Sequence, residues 1–370
     1  MLREALLGII TGTLSGVTPG IHVNTLALIM RGSLPSAVTL FAMGLTHTFL
    51  DVFPSTFLGV PDEGSALSIL PAHRLVLRGR GMEVVRIAIL SSALAVILSI
   101  LLLPLYTLIA PLYTPGTGKA VVLLLSALLI VNERNRGSAF LIYLLSGFLG
   151  ILVLSRPLRE PLYHLFTGLF GVPVLLEGLS SEKVTPGRAE PLITRARLIL
   201  FSLIGTTLGM VASLVPAFTA SQAALIGSFL SKDERSFLTV VYSVNTANFL
   251  FSTVNYLQTG RARNGVVAMM PPLGLSHLPA FLLTALLTTL TVLLYGEPLS
   301  KALAEALSKV PYRLVNGAVV LFLITLSIAF DGLPGLLALT ASSIVGHLAL
   351  ELGVRRTNCM GALMLPVILR

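Results

Sequence analysis

The sequence predicts an all-α polytopic membrane protein of the cell membrane, with roughly ten to twelve membrane segments, several of them broken or re-entrant. Hydrophobic residues make up 55% of the 370 positions and charged residues only 11%, and the mean hydropathy is +0.91. These values exclude an ordinary soluble enzyme and indicate helices in a lipid bilayer. The net charge of +9 comes from Lys and Arg in short clusters between apolar runs. That distribution is typical of membrane loops, so nucleic acid is not expected as a partner.

The first apolar stretch, residues 6–30, is broken at its middle by Thr18, Pro19 and Gly20. Proline frees backbone groups that must find partners inside the protein or in a wet cavity, so a break within an apolar span needs a reason. Before the break, glycine recurs at every fourth position, as Gly8, Gly12 and Gly16. On a helix these glycines form a smooth ridge, which we expect to pack closely against another helix.

The same pattern returns 197 residues later in the chain. The aligned pairs are Gly8 with Gly205, Gly12 with Gly209, and Pro19 with Pro216. This repetition predicts a duplicated chain, with residues 1–185 as the first membrane repeat, 195–370 as the second and 186–194 as a polar connector. By analogy with carriers whose sites lie at the middle of the membrane, we expect the two repeats to be inverted.

Each half follows its broken segment with a second, polar-lined segment. In residues 36–60, His47 and Asp51 are four positions apart and therefore share one face of a helix. Asp51 is the acid that we expect deep within a span, where it could bind a coupling Na⁺ or carry a proton. The second half places Asn248 at the same offset and Asn245 close to it, so all four side chains are candidate ion-coupling residues. The alternative is that Asp51 lies at the end of its span and only pairs with His47 or meets the interface.

A helix that restarts after Pro and Gly presents free N–H groups and the positive end of its dipole, and both favour an anion. The half-helices starting near Gly20 and Ala217 would point these groups at one site between the repeats. The candidate substrate-binding residues are Thr18, Pro19, Gly20, His22, Asn24, Thr25, Pro216, Thr219, Ser221 and Gln222. The alternative is that the two prolines only kink helices for packing.

Three stretches carry a resemblance to a known family. They are GTLSGVTPGIHVNT, then FLGVPDEGSALSILPAHRLVLRGRG, and then VPAFTASQAALI followed by VNTANFLFSTVNY and TGRARNG. Together they resemble the large membrane subunit of tripartite tricarboxylate transporters, in a short archaeal-type branch. The resemblance implies an ion-driven permease for small carboxylates that works with a small membrane subunit and an extracytoplasmic binding protein. Because the second copy reads Pro216-Ala217 and lacks the glycine, the resemblance does not carry over the identity of the substrate.

The sequence therefore favours a secondary transporter for a small organic anion, such as a di- or tricarboxylate, working by alternating access around a midplane site. It predicts no cofactor beyond a coupling Na⁺ or H⁺. One alternative is a translocase for a polyprenyl-phosphate lipid, because the first motif also resembles that family. Another is an intramembrane enzyme using His22, His47 and Asp51. Neither a nucleophile nor a metal-ligand spacing stands out in the sequence, so no catalytic or metal-binding residue is predicted.

Overall fold

A computed structural model of the chain describes residues 1–30, 35–60, 66–110, 115–177, 193–214, 220–231 and 233–369. Within these ranges the regular structure is helical and contains no strand, which confirms the all-α prediction. Seven helices of the described chain are long and apolar enough to cross a membrane, so the protein is a multi-pass membrane protein. These spans are Ala37–Phe57, Gly81–Ile109, Arg136–Leu154, Arg195–Leu214, Glu234–Thr259, Leu275–Ser308 and Arg313–Glu351.

The helices are numbered here along the chain. In chain order they are α1 (Leu2–Val17), α2 (Val23–Met30), α3 (Ala37–Leu50), α4 (Val52–Phe57), α5 (Ile69–Leu77), α6 (Gly81–Ile109), α7 (Pro115–Val131), α8 (Arg136–Leu154), α9 (Pro161–Phe166), α10 (Val172–Glu177), α11 (Arg195–Leu214), α12 (Ala220–Leu230), α13 (Glu234–Thr259), α14 (Gly265–Ala268), α15 (Leu278–Ser308), α16 (Tyr312–Glu351) and α17 (Gly361–Leu369). A wider π-helical turn, Thr167–Gly171, joins α9 to α10. The predicted connector 186–194 lies mostly outside the described residues.

The glycine ridge of α1 packs directly on α3. A Cβ atom on Gly12 would lie 2.7 Å from the Cβ of Thr46 and would also overlap the carbonyl oxygen of Met43. Gly8 and Gly16 meet α3 one turn earlier and one turn later. The predicted packing role of these glycines is confirmed, because only a residue without a side chain allows the two backbones to approach so closely.

The second half repeats this contact between α11 and α13. A Cβ atom on Gly209 would lie 2.7 Å from the carbonyl oxygen of Val244 and 2.8 Å from the Cβ of Ala247. Gly209 therefore makes with these residues the contacts that Gly12 makes with Met43 and Thr46. Such matching contacts are what a duplication would produce, although the duplication and its inversion remain predictions.

The contacts give a second offset between the two halves of the chain. The glycine helices correspond at an offset of 197 residues, but Met43 corresponds to Val244 at an offset of 201. The second half thus holds about one extra helical turn before α13. By this packing register Asn248 corresponds to His47, and not to Asp51 as the constant offset predicted.

Two spans form the centre of the molecule. Ala37–Phe57, which comprises α3 and α4, is 89% buried, and α13 is 94% buried, whereas the other spans are at most half buried. Polar side chains on α3 and α13 therefore face protein rather than lipid, which is where a membrane protein can tolerate them. This placement makes the α3/α13 contact the natural position for a functional site.

The N-terminus of α13 is capped by Asp233. Its carboxylate accepts hydrogen bonds from the backbone N–H of Ser236 at 3.1 Å and from the Ser236 hydroxyl at 2.8 Å, and it pairs with the Arg197 guanidinium. Burial raises the pKa of Asp233, but the hydrogen bonds from Ser236 and the charge of Arg197 together lower that pKa further, so it lies below its ordinary value. The cap thus stabilises α13 in its ionised form.

Helix α16 consists of two arms that meet at Gly332. The backbone of Gly332 is non-helical, with φ 59° and ψ −142°, a conformation that favours glycine. The sequence predicts two segments here, 312–330 and 333–350, and the kink lies between them. Asp331 therefore lies at the joint of the two arms.

Candidate functional site

A cavity of about 70 Å³ lies where α1 and α2 are separated by the predicted break. Helix α1 ends at Val17 and α2 begins at Val23, with Gly20 at φ 76° between them. The cavity wall includes six of the residues predicted from the first half: Thr18, Gly20, His22, Asn24, His47 and Asp51. The structure thus brings the break of the first segment and the polar face of the second together.

His47 and Asp51 lie one above the other on the inner face of the Ala37–Phe57 span. Both are buried, with relative exposures of 3% and 1%. The Nδ1 atom of His47 is 3.0 Å from the Ser15 hydroxyl, and its ring packs edge-on to that of His22 with the centroids 5.3 Å apart. Asp51 occupies the joint between α3 and α4, which places its carboxylate inside the protein and not at the interface.

Two hydrogen bonds connect this face to α13 in the second half. The side-chain amide of Asn245 donates to Asp51 Oδ2 at 2.8 Å, and the Thr246 hydroxyl donates to that of Thr48 at 3.2 Å. Asn245 was predicted as an ion-coupling residue from its position in the second half. Its amide therefore joins the buried carboxylate of the first half to the central helix of the second.

The start of α2 is partly capped by its own side chains. His22 Nδ1 accepts the backbone N–H of Asn24 at 3.0 Å, while the Asn24 side-chain oxygen accepts the backbone N–H of Val266 in α14, also at 3.0 Å. Gly265 lies so close that a Cβ atom there would be 2.8 Å from Asn24 Cγ. Asn24 thus connects α2 to α14, in addition to lining the cavity.

The candidate substrate-binding residues of the second half can be located in the structure only in part. Pro216 and Thr219 lie outside the described residues, as do the side chains of Gln222 and of Thr25 in the first half. Ser221 is fully buried and Asn248 half-buried, and neither belongs to the described wall of the cavity. The predicted position of the substrate between both breaks therefore remains a prediction.

One wall of the cavity contains no residue that was predicted from the sequence. It comes from α9 and the residues around it, and it contributes Glu160, Leu162, Tyr163, Phe166 and Thr167. Gly20 faces this wall, since a Cβ atom there would lie 3.3 Å from the Tyr163 ring and 3.0 Å from Leu323 of α16. The available signal in the sequence was the polar pair Tyr163-His164 inside an otherwise apolar segment.

The described wall of the cavity holds acidic side chains and histidines without a permanently charged basic side chain. Asp51 and Glu160 supply carboxylates and His22 and His47 supply imidazoles, while no Lys or Arg belongs to the described wall. Among the described residues there is also no group of three His, Cys, Asp or Glu arranged to hold a metal ion. The cavity as described thus presents acids, imidazoles and hydroxyls to whatever enters it.

Comparison with known proteins gives a family. The model of the tripartite tricarboxylate transporter TctA family matches residues 2–361. An uncharacterized protein of Methanocaldococcus jannaschii is 26% identical over 389 residues, covering 100% of this chain and 98% of that protein. No solved structure matches. Because the family model spans nearly the whole chain, the protein belongs to the tripartite tricarboxylate transporter TctA family, a family of membrane transporters that function with other subunits and a binding protein.

Proposed function

We propose that this protein is an ion-coupled secondary transporter for a small organic anion, such as a di- or tricarboxylate. The observation that carries the proposal is the charge of the cavity wall, where Asp51 and Glu160 face His22 and His47 and the described wall holds no Lys or Arg. An anion brought beside two carboxylates is repelled unless a cation or protons enter with it. Coupling to Na⁺ or H⁺ is therefore the condition for binding.

The cation would bind at Asp51. This carboxylate is buried, it accepts a hydrogen bond from the Asn245 amide, and it lines the cavity together with His47. An intramembrane acid with such partners is a functional candidate by default. The anion would then bind toward the break, where the N-terminus of α2 and the side chains of Thr18 and His22 face the same cavity.

The size of the cavity supports a two-state mechanism. About 70 Å³ holds several water molecules or an ion, but it is smaller than the roughly 150 Å³ cavity that accommodates benzene. A di- or tricarboxylate therefore requires the walls to separate, as alternating access does. In our proposal the α9 wall moves away from the break, because it is short and joined to the kinked helix α16.

Uptake by reconstituted vesicles tests the proposal. Vesicles containing the full chain should accumulate a labelled di- or tricarboxylate when a Na⁺ or pH gradient is imposed, and Asp51→Asn should abolish gradient-driven uptake. Glu351→Gln, which changes an exposed acid at the end of α16, should leave uptake intact. Absence of uptake across a broad panel of carboxylates, with and without a small membrane subunit and a binding protein, would refute the proposal. Movement of a lipid-linked phosphate across the same vesicles would indicate the translocase instead.

A further inference from the structure

A second buried cluster of titratable groups lies behind the α9 wall. His164 Nε2 is 2.8 Å from Asp331 Oδ2, and His164 Nδ1 is 3.0 Å from the hydroxyl of Ser327. The side chain of His164 is fully buried and that of Asp331 is 4% exposed. None of these three residues was predicted from the sequence, and none lines the described cavity wall.

The hydrogen bonds determine where the proton of His164 resides. Asp331 also accepts the backbone N–H groups of Arg159 at 2.6 Å and Glu160 at 3.1 Å, so its carboxylate acts as an acceptor throughout. His164 must then donate from Nε2, and its Nδ1 accepts from the Ser327 hydroxyl. In this arrangement the pair carries one negative charge in a buried position, which is costly.

A glycine and several titratable side chains surround the His164–Asp331 pair. A Cβ atom on Gly335 would lie 2.7 Å from His164 Cε1, so the bend of α16 leaves space for the imidazole only because this position is glycine. Among neighbouring charged groups, Glu160 lines the cavity and Arg159 is exposed. Tyr163 is a further titratable neighbour, since its ring lies edge-on to that of His164.

The same cluster fastens the α9 wall to α16. Asp331 binds the backbone just before α9, and the Tyr163 hydroxyl donates to the carbonyl oxygen of Leu323 at 2.8 Å. Glu160 and Tyr163 are themselves wall residues of the cavity. Because Gly332 follows Asp331 directly, the attachment lies at the joint between the two arms of α16.

We propose that His164 and Asp331 form a proton-binding site, separate from Asp51, that controls the position of the α9 wall. A proton taken from water onto His164 Nδ1 makes the buried pair neutral overall and so relieves the cost of its charge. The new N–H cannot accept from Ser327, so that hydroxyl must turn and the cluster rearranges. Only the importance of this wall for transport rests on the proposed function; the proton site stands on its own geometry.

Infrared difference spectroscopy of the purified protein in lipid nanodiscs tests proton binding directly. A pH change should produce an imidazole signal together with a carboxylate signal, because the two groups titrate as a coupled pair. His164→Gln should remove the contribution of His164 to the imidazole signal and alter the carboxylate signal of Asp331. His277→Gln, which removes an exposed histidine whose Nδ1 lies 3.3 Å from the Ser276 hydroxyl, should leave the coupled carboxylate signal unchanged.

Ser327→Ala keeps both titrating groups and removes only the hydroxyl that stabilises the neutral imidazole. We expect its imidazole transition to move to higher pH, and this variant keeps the test decisive if His164→Gln fails to fold. Identical spectra for the wild type, His164→Gln and Ser327→Ala would overturn the proton site.

Thiol labelling tests the movement of the wall without any transport measurement. The one native cysteine, Cys359, is fully buried, so a cysteine introduced as Leu162→Cys reports on the wall alone. After division by the labelling rate of an exposed control, Ser155→Cys, the rate at Leu162→Cys should rise severalfold on acidification and should lose this pH dependence in combination with His164→Gln. Unchanged pH dependence in that double variant would overturn the coupling. A failure of carboxylate uptake would affect neither measurement, so the two proposals fail separately.

Discussion

The contact between Asn245 and Asp51 is the sharpest point at which the proposed site can be tested. Asn245→Ala removes the amide that donates to Asp51 Oδ2 at 2.8 Å, in a position where both side chains are buried. Asp51→Ala removes the carboxylate that accepts this hydrogen bond. If the hydrogen bond joins the two residues into one unit, either substitution alone should already remove the stability that this bond contributes.

The size of this coupling follows from the type of bond. A hydrogen bond to a charged group contributes about 1.5–3 kcal/mol, which corresponds to roughly a 10- to 150-fold change in an equilibrium constant. In a double-mutant cycle, the combined variant should therefore be more stable than the sum of the two single effects predicts, by about 1.5–3 kcal/mol. Residues that do not touch give sums that agree within about 0.5 kcal/mol.

The free energy of unfolding of the purified protein is measured by titration with SDS in mixed micelles. Uptake in vesicles is measured for the same variants. The matched control is Asn248→Ala, which truncates another amide on α13 with no hydrogen bond to Asp51 in the described structure. Its effect should add to that of Asp51→Ala. An additive Asn245/Asp51 cycle would show that the hydrogen bond contributes nothing measurable, and the assignment of Asn245 to the ion site would be withdrawn.

Three further outcomes follow from the packing and the caps. Gly12→Ala forces a methyl group into the backbone of Met43 and should cost about 1–3 kcal/mol of unfolding free energy, whereas Gly116→Ala, which meets open space, should cost far less. Tyr163→Phe removes the hydrogen bond to α16 and should lower stability by about 0.5–1.5 kcal/mol while increasing thiol labelling at Leu162→Cys. The pKa of Asp233 is lower in the folded protein than in the unfolded chain, so its contribution to stability is present above the unfolded pKa and is lost as the pH falls through the folded pKa. When the free energy of unfolding is measured against pH, Asp233→Asn should therefore reduce the loss of stability at acidic pH. An unchanged loss at acidic pH would contradict the assignment of Asp233 as the cap.

The local chemistry of the break could be read directly from the chain. Proline removes a donor and Gly20 adopts φ 76°, so the end of α1 near Thr18 follows from residue type alone. The spacing of the glycines likewise predicts one smooth face, and that face is the one on which α3 packs. These features depend on a few neighbouring residues, which is why the sequence was sufficient.

The site was predictable only in part. His47 and Asp51 share a face because they are four residues apart on one helix, and both line the cavity. The constant offset pairs Asp51 with Asn248, whereas the glycine contacts pair His47 with Asn248, a difference that the spacing of the glycines alone could not show. Asn245 instead reaches the carboxylate, a contact that depends on how two distant helices cross.

By itself, the sequence determined that this chain is a helical membrane protein of the TctA family with a broken first segment, because hydropathy, glycine spacing and proline act over short distances. The tertiary structure alone decided which helices close the cavity. It placed α9 opposite the break and joined His164 to Asp331, residues 167 positions apart. No periodicity connects such residues; they meet because α16 bends at Gly332 and packs against α9.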